Sequence, residues 1–192
     1  MFAQHFPASE FQRVSDRALS PGELAYAERL SHRLELIRHA LGDVPLVLTS
    51  YKRSGAVTDT NEPSQHRDGS AVDVRRPEHI SWVKLATTVD ALQHAGLTWG
   101  QVILYPWETP RQHFHISLPT GTRRQELSVK VAPGDYRPWS VQLASTFPSG
   151  QATPADATAV ATAAVPRRSS SALVAVAGGA AAALALAALR GE

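Results

Sequence analysis

Two short stretches, SQHRDGSAVD at 64–73 and QHFHISL at 112–118, supply His66, Asp73, His113 and His115. Zinc takes nitrogen and oxygen ligands in tetrahedral geometry, and a catalytic site uses three protein ligands and leaves a fourth position to water. Hydrolysis is the chemistry such a set serves. Alternation in QHFHISL predicts a strand with Phe114, Ile116 and Leu118 on one face and His113, His115 and Ser117 on the other. In SAVDV the same period sends Val72 and Val74 to the core and Asp73 to the opposite face with Ala71. His66 lies upstream of Asp73 across a turn containing Asp68 and Gly69, which suits a loop ligand feeding a strand ligand. The competing reading is a polar surface, since eight histidines in 192 residues produce some close pairs by chance.

Taken together, these stretches resemble the zinc D-Ala-D-Ala carboxypeptidase and murein endopeptidase family, peptidase family M15. Ser64, His66, Gly69, Ala71 and Asp73 match its serine, histidine, glycine, alanine and aspartate. The segments GQVILY at 100–105 and FHIS at 114–117 resemble the strand pair that ends in its last zinc histidine, and TSYKRSG at 49–55 resembles its Ser-Gly-Tyr-Arg-Ser turn. The resemblance spans roughly residues 20–120. It implies a zinc ion held by His66, Asp73 and His115, and Arg53 as a cation facing the substrate. The implied substrate is the peptide stem of peptidoglycan, cut next to a D-amino acid by carboxypeptidase or endopeptidase action. Many members carry a glutamate three residues before the last zinc histidine; Gln112 stands there and cannot take a proton. Another branch has a His-x-His, which His113 matches. His113 is therefore the first choice as acid/base or oxyanion stabiliser and Glu108 the second. If neither serves, a non-catalytic zinc-binding wall or virion component is the alternative.

To position these residues the chain needs strands with helices behind them. Ser20, Pro21 and Glu23 form a capping-box start, followed at helical spacing by Leu24, Ala27, Leu30, Leu34, Ile37 and Leu41, with Gly42 ending the helix. VPLVLTS and SAVDVR read as strands. A second helix is expected from about Pro77 to Ala95, with Ile80, Val83, Ala86, Val89 and Leu92 inward and His79 and His94 solvated. GQVILY and QHFHISL follow as strands, joined by a loop that could wall a cleft with Trp99, Tyr105 and Trp107. ELSVKV at 126–131 is expected as an edge strand ahead of the polar PGDYRPW, and residues 1–19 as irregular. The fold class is α+β: a mainly antiparallel sheet packed by two helices, with the metal on the sheet's open face.

A chain of 192 residues with 43% hydrophobic content can bury one core but hardly two. The net charge of +2 excludes little, and a pI near 9.2 suits approach to an anionic wall. No dense Lys/Arg cluster with interleaved aromatics is present, so a nucleic-acid partner is not expected. Cysteine is absent, which removes disulfides and thiolate metal sites. The expected organisation is a peptidase domain at 1–145, a Pro/Ala/Thr-rich linker at 146–171 and an Ala-rich helix at 172–189. Eighteen residues span roughly 27 Å, which allows membrane association, with a soluble Ala-rich helix as the alternative. Arg167 and Arg168 before it suggest a cytoplasmic catalytic domain, and residues 1–19 lack a secretory signal's pattern. That arrangement is similar to phage lysis enzymes held in the host cytoplasm or at the inner membrane until they reach the wall.

Overall fold

A computed structural model of the chain describes residues 1–58, 63–106, 112–119, 126–132, 135–144 and 146–147. Helices α1 (Ala8–Arg13) and α2 (Pro21–Ala40) precede strand β1 (Val47–Ser50). A 3-10 turn at Gln65–Arg67 then leads into β2 (Ala71–Arg75), followed by α3 (Trp82–His94), β3 (Gln101–Tyr105) and β4 (His113–Ser117). The last elements are β5 (Glu126–Ala132), β6 (Asp135–Pro138) and α4 (Val141–Ala144). The fold is α+β.

One six-stranded sheet runs in the order β1-β2-β4-β3-β5-β6. Most of it is antiparallel, as the sequence predicts, but β5 joins β3 in parallel. The sheet is therefore mixed, and β5 lies inside it because β6, drawn from DYRP, takes the edge. Pro138 fits there, since an edge strand tolerates a residue with no backbone N–H to give.

Local physics accounts for the helix boundaries. The Ser20 hydroxyl accepts from the Glu23 N–H and the Glu23 carboxylate accepts from the Ser20 N–H, a reciprocal cap with Pro21 at the first helical position. α3 begins later than the sequence predicts. The Arg76 guanidinium donates to the carbonyls of Pro77, Glu78 and Ile80, which gives residues 77–80 a partner other than a helical turn. Ser81, accepting from the Lys84 N–H, then caps the helix. The N-terminal segment also departs from expectation, because Phe6 and Phe11 are buried and α1 forms around them.

One face of the sheet shares a single hydrophobic cluster with the helices. Val72 and Val74 of β2, Phe114 and Ile116 of β4 and Val102 and Leu104 of β3 are fully buried in it, with Leu30, Leu34 and Ile37 of α2 and Leu85 and Val89 of α3. Burial of each such side chain contributes about 2 kcal/mol. The alternate residues of β2, β3 and β4 point to the other face. Among the described residues no helix is long and apolar enough to cross a membrane, and the expected helix at 172–189 lies outside them.

Candidate metal centre

Strand register does the first part of the assembly. Asp73 of β2 pairs directly with His115 of β4, so the two side chains leave the sheet side by side on the face away from the helices. The third residue, His66, comes from the 3-10 turn before β2. Ser64 caps that turn by accepting from the His66 N–H, and Asp68 accepts from the Ser70 N–H, which steers the chain into the strand. Between them Gly69 has a φ of +77°, and a Cβ there would lie 3.0 Å from the Tyr51 hydroxyl and 3.2 Å from Glu23 Cγ. Each residue type in the Ser-x-His-x-x-Gly stretch thus has a local physical reason.

The turn is also tied to α2. Tyr51, fully buried, donates its hydroxyl to the Glu23 carbonyl at 2.6 Å. Buried Lys52 reaches the Glu23 carboxylate at 3.3 Å and donates to the Arg67 carbonyl. The helix start and the His66 turn therefore share one polar network.

Three atoms converge in the centre. His66 Nε2 lies 3.1 Å from Asp73 Oδ1, His115 Nδ1 lies 2.9 Å from the same oxygen, and the two nitrogens are 3.2 Å apart. The outer nitrogens are committed elsewhere: His66 Nδ1 donates to the Tyr51 carbonyl at 2.5 Å and His115 Nε2 to Gln65 Oε1 at 3.3 Å. Since a carbonyl oxygen only accepts, the proton of each neutral ring sits on its outer nitrogen. The inner atoms are then three lone pairs facing one another. Such a triangle requires a cation at its centre, either a proton or a metal ion.

Electrostatics and geometry suit the metal. His66, Asp73 and His115 are 1%, 8% and 6% exposed. Burial pushes the His115 imidazole below its ordinary range, outweighing the upward pull of Asp73, and a neutral imidazole is the ligating form. Burial alone would raise the Asp73 carboxyl, but the His115 and His66 rings against it hold it below the usual carboxylate range. Tetrahedral ligands about 2.0–2.1 Å from zinc stand about 3.3 Å apart, close to the three separations seen here. Among the described residues this is the group whose ligand atoms could hold a metal ion.

The other predicted site residues occupy different positions. Arg53 follows β1, its side chain half exposed and Nη2 3.6 Å from Asp73 Oδ2, so it stands beside the cluster with donors to spare. His113 is two residues from His115 on the same face of β4, its ring stacked on Tyr105 at 4.4 Å between centroids and 13° between planes. It is outside the ligand triangle. Glu108 and Trp107 lie outside the described residues. Trp99 is fully buried in the core and walls no cleft; His79 and His94 are exposed. Gln112 is engaged: its Oε1 accepts from Arg76 Nε at 3.0 Å and Nη2 at 2.6 Å, while its amide donates to the Pro106 carbonyl at 3.0 Å.

Sequence reasoning missed Gln65 and the Tyr51 carbonyl as supports of the two imidazoles. No local signal marks either, because each acts on a histidine brought to it by the fold. No protein-family model matches the chain, and no curated protein matches it either.

Proposed function

We propose that this chain is a zinc metallopeptidase that hydrolyses the peptide stems of bacterial peptidoglycan, by carboxypeptidase or endopeptidase action, in phage-type cell lysis. The observation that carries the proposal is the convergence of His66 Nε2, Asp73 Oδ1 and His115 Nδ1, with both outer imidazole nitrogens already bonded. The choice of zinc follows the donor set, two neutral imidazoles and one carboxylate, which leaves a net positive charge on a divalent ion. Zinc bound there supplies Lewis acidity towards a peptide carbonyl and lowers the pKa of water. Gln65 and the Tyr51 carbonyl hold the rings in register for it. Arg53, beside Asp73, offers its donor fork to a substrate carboxylate or to charge developing on the carbonyl oxygen. His113, on the same face of β4, gives or takes the proton, with Glu108 as the second choice. In the same reading, residues 172–189 associate with a membrane while the peptidase domain reaches the wall.

A second reading has one observation in its favour. Gln112, at the position where the resembled family carries a glutamate, is an amide committed to Arg76 and the Pro106 carbonyl. A chain without a base there could keep zinc as a non-catalytic wall or virion component.

The test is release of new amino groups or of D-alanine from purified peptidoglycan by the full chain. It is run zinc-loaded, with chelator, and as the His115→Ala variant. Product that disappears in both controls supports the peptidase and names the bond. A folded chain that holds one zinc tightly and releases nothing supports the binding component.

A further inference from the structure

Arg53 lies beyond the end of β1, so the sheet ladder does not fix its backbone. Its half-exposed guanidinium approaches Asp73 Oδ2 only to 3.6 Å, beyond hydrogen-bond reach. What holds it is the chain ahead of α2. Residues 14–16, between α1 and α2, run alongside residues 51–54. The Val14 carbonyl accepts from the Tyr51 N–H at 3.0 Å, and the Ser15 hydroxyl accepts from the Lys52 N–H at 3.4 Å. The Asp16 N–H donates to the Lys52 carbonyl at 3.1 Å. The Asp16 carboxylate then reaches past Arg53: Oδ2 accepts from the Ser54 N–H at 2.6 Å and Oδ1 from the Ser54 hydroxyl at 3.3 Å.

Asp16 therefore binds the peptide group on each side of Arg53. The remaining polar groups of those two peptides are bonded as well: the Arg53 N–H donates to the His66 carbonyl at 3.1 Å, and the Arg53 carbonyl accepts from the Ala56 N–H at 3.1 Å, closing a turn. The rotations at Arg53 are the soft dihedrals between the two planes, so holding both planes fixes the direction in which its side chain leaves the backbone. Residues 14–16 are themselves anchored through α1. Phe11 is fully buried with its ring edge-on to Tyr51, 5.0 Å between centroids and 80° between planes, and its carbonyl accepts from the Ser15 hydroxyl at 2.7 Å. The Ser54 N–H also holds the Asp16 carboxyl below its ordinary value, so at neutral pH both oxygens accept.

We propose that Asp16 is a positioning residue, which clamps the backbone on both sides of Arg53 and so holds the guanidinium beside the metal centre, where it meets the substrate. The proposal rests on the peptidase reading of Arg53 and deepens it by assigning what places that cation. The segment ahead of α2 thereby belongs to the site, although Asp16 is exposed and its bonds go to Lys52 and Ser54 rather than to any of the three converging residues. A cation on a loose turn would have to be ordered by each substrate as it binds; one on a clamped turn is ordered beforehand.

The test is a double-mutant cycle of Asp16→Ala with Arg53→Ala in the full, zinc-loaded chain, read as kcat/KM for release of amino groups from soluble peptidoglycan stem peptides. Asp16→Ala alone is expected to lower kcat/KM roughly 10- to 100-fold, to divide that loss between KM and kcat as Arg53→Ala does, and to cost nothing further once Arg53 is gone. Asp16→Asn, whose amide oxygen still accepts from the Ser54 N–H, is expected to restore most of the rate. Ser54→Ala, which removes only the hydroxyl bond, is expected to show a smaller loss of the same kind. Zinc affinity in Asp16→Ala, read by chelator competition, is expected to match the native chain. A readout free of turnover is the heteronuclear NOE of the Arg53 Nε–H in isotope-labelled chain, identified by its absence in Arg53→Ala: rigid in the native chain and Asp16→Asn, mobile in Asp16→Ala. Additive losses in the cycle overturn the proposal, as does an equally rigid Arg53 in Asp16→Ala or a loss of zinc affinity there. Arg53 loosened by Asp16→Ala in a chain that releases no product keeps the positioning role and sinks the peptidase; product released at the native rate by Asp16→Ala does the reverse.

Discussion

At the scale of single residues the metal centre depends on which nitrogen of each ring is already bonded. Gln65 fixes His115 by accepting from Nε2, and without it the ring can rotate or move its proton inward. Gln65→Ala is therefore expected to weaken zinc binding by about 10- to 100-fold while leaving the fold intact, as read by competition with a chromogenic chelator. An unchanged affinity would mean that packing alone orients His115. That Asp73 and His115 would share a sheet face was readable in advance, because imidazole and carboxylate types and two-residue alternation are local properties of SAVDV and QHFHISL. Gln65 was not readable in that role, since its partner lies 50 residues away.

Elements show the same division between near and far. The α2 start follows from Ser20, Pro21 and Glu23 alone, whereas the α3 start depends on Arg76 capturing carbonyls of residues 77–80, an outcome that helical periodicity cannot register. The parallel β3–β5 pairing is likewise non-local. Glu23 makes a prediction at this scale. Burial alone would raise its carboxyl, but the Ser20 N–H, helped by Arg17 and Lys52, outweighs that and brings it down to about 2 from 4.5. The folded value lies below the unfolded one, so its contribution is complete above about pH 4.5 and is lost as pH falls towards 2. Denaturant titrations from pH 6 to pH 2.5 should show a loss of about 2 kcal/mol that is absent in Glu23→Gln. Equal slopes in the two proteins would remove Glu23 from the network that anchors the His66 turn.

For the molecule as a whole, the centre joins β2, β4 and the turn before β2, three pieces of chain that the hydrophobic cluster also holds. The fold should therefore survive loss of metal but be less stable. Zinc at a thousandfold excess over its dissociation constant adds about 4 kcal/mol, and chelation should lower the melting temperature by roughly 10 °C with little change in secondary structure. Collapse of the far-ultraviolet spectrum on chelation would show instead that the metal is needed for folding itself.

Arg76 is buried, stacked over Trp82 at 5.3 Å, and spends its donors on the Gln112 amide oxygen and three backbone carbonyls. Placing a glutamate at this site would consequently not supply a base. In Gln112→Glu the new carboxylate meets a waiting guanidinium fork, and the two lock as a buried ion pair with the acid pinned in its ionised form. The variant should gain no hydrolytic rate, measured beside the native chain on the same preparation, and no thermal stability, because the amide that donates to the Pro106 carbonyl is exchanged for an oxygen that only accepts. The position in the sequence gives an address, and the neighbour decides what can be done at it, so a group that moves protons beside the three converging residues has to be sought at another strand position rather than by changing this one letter.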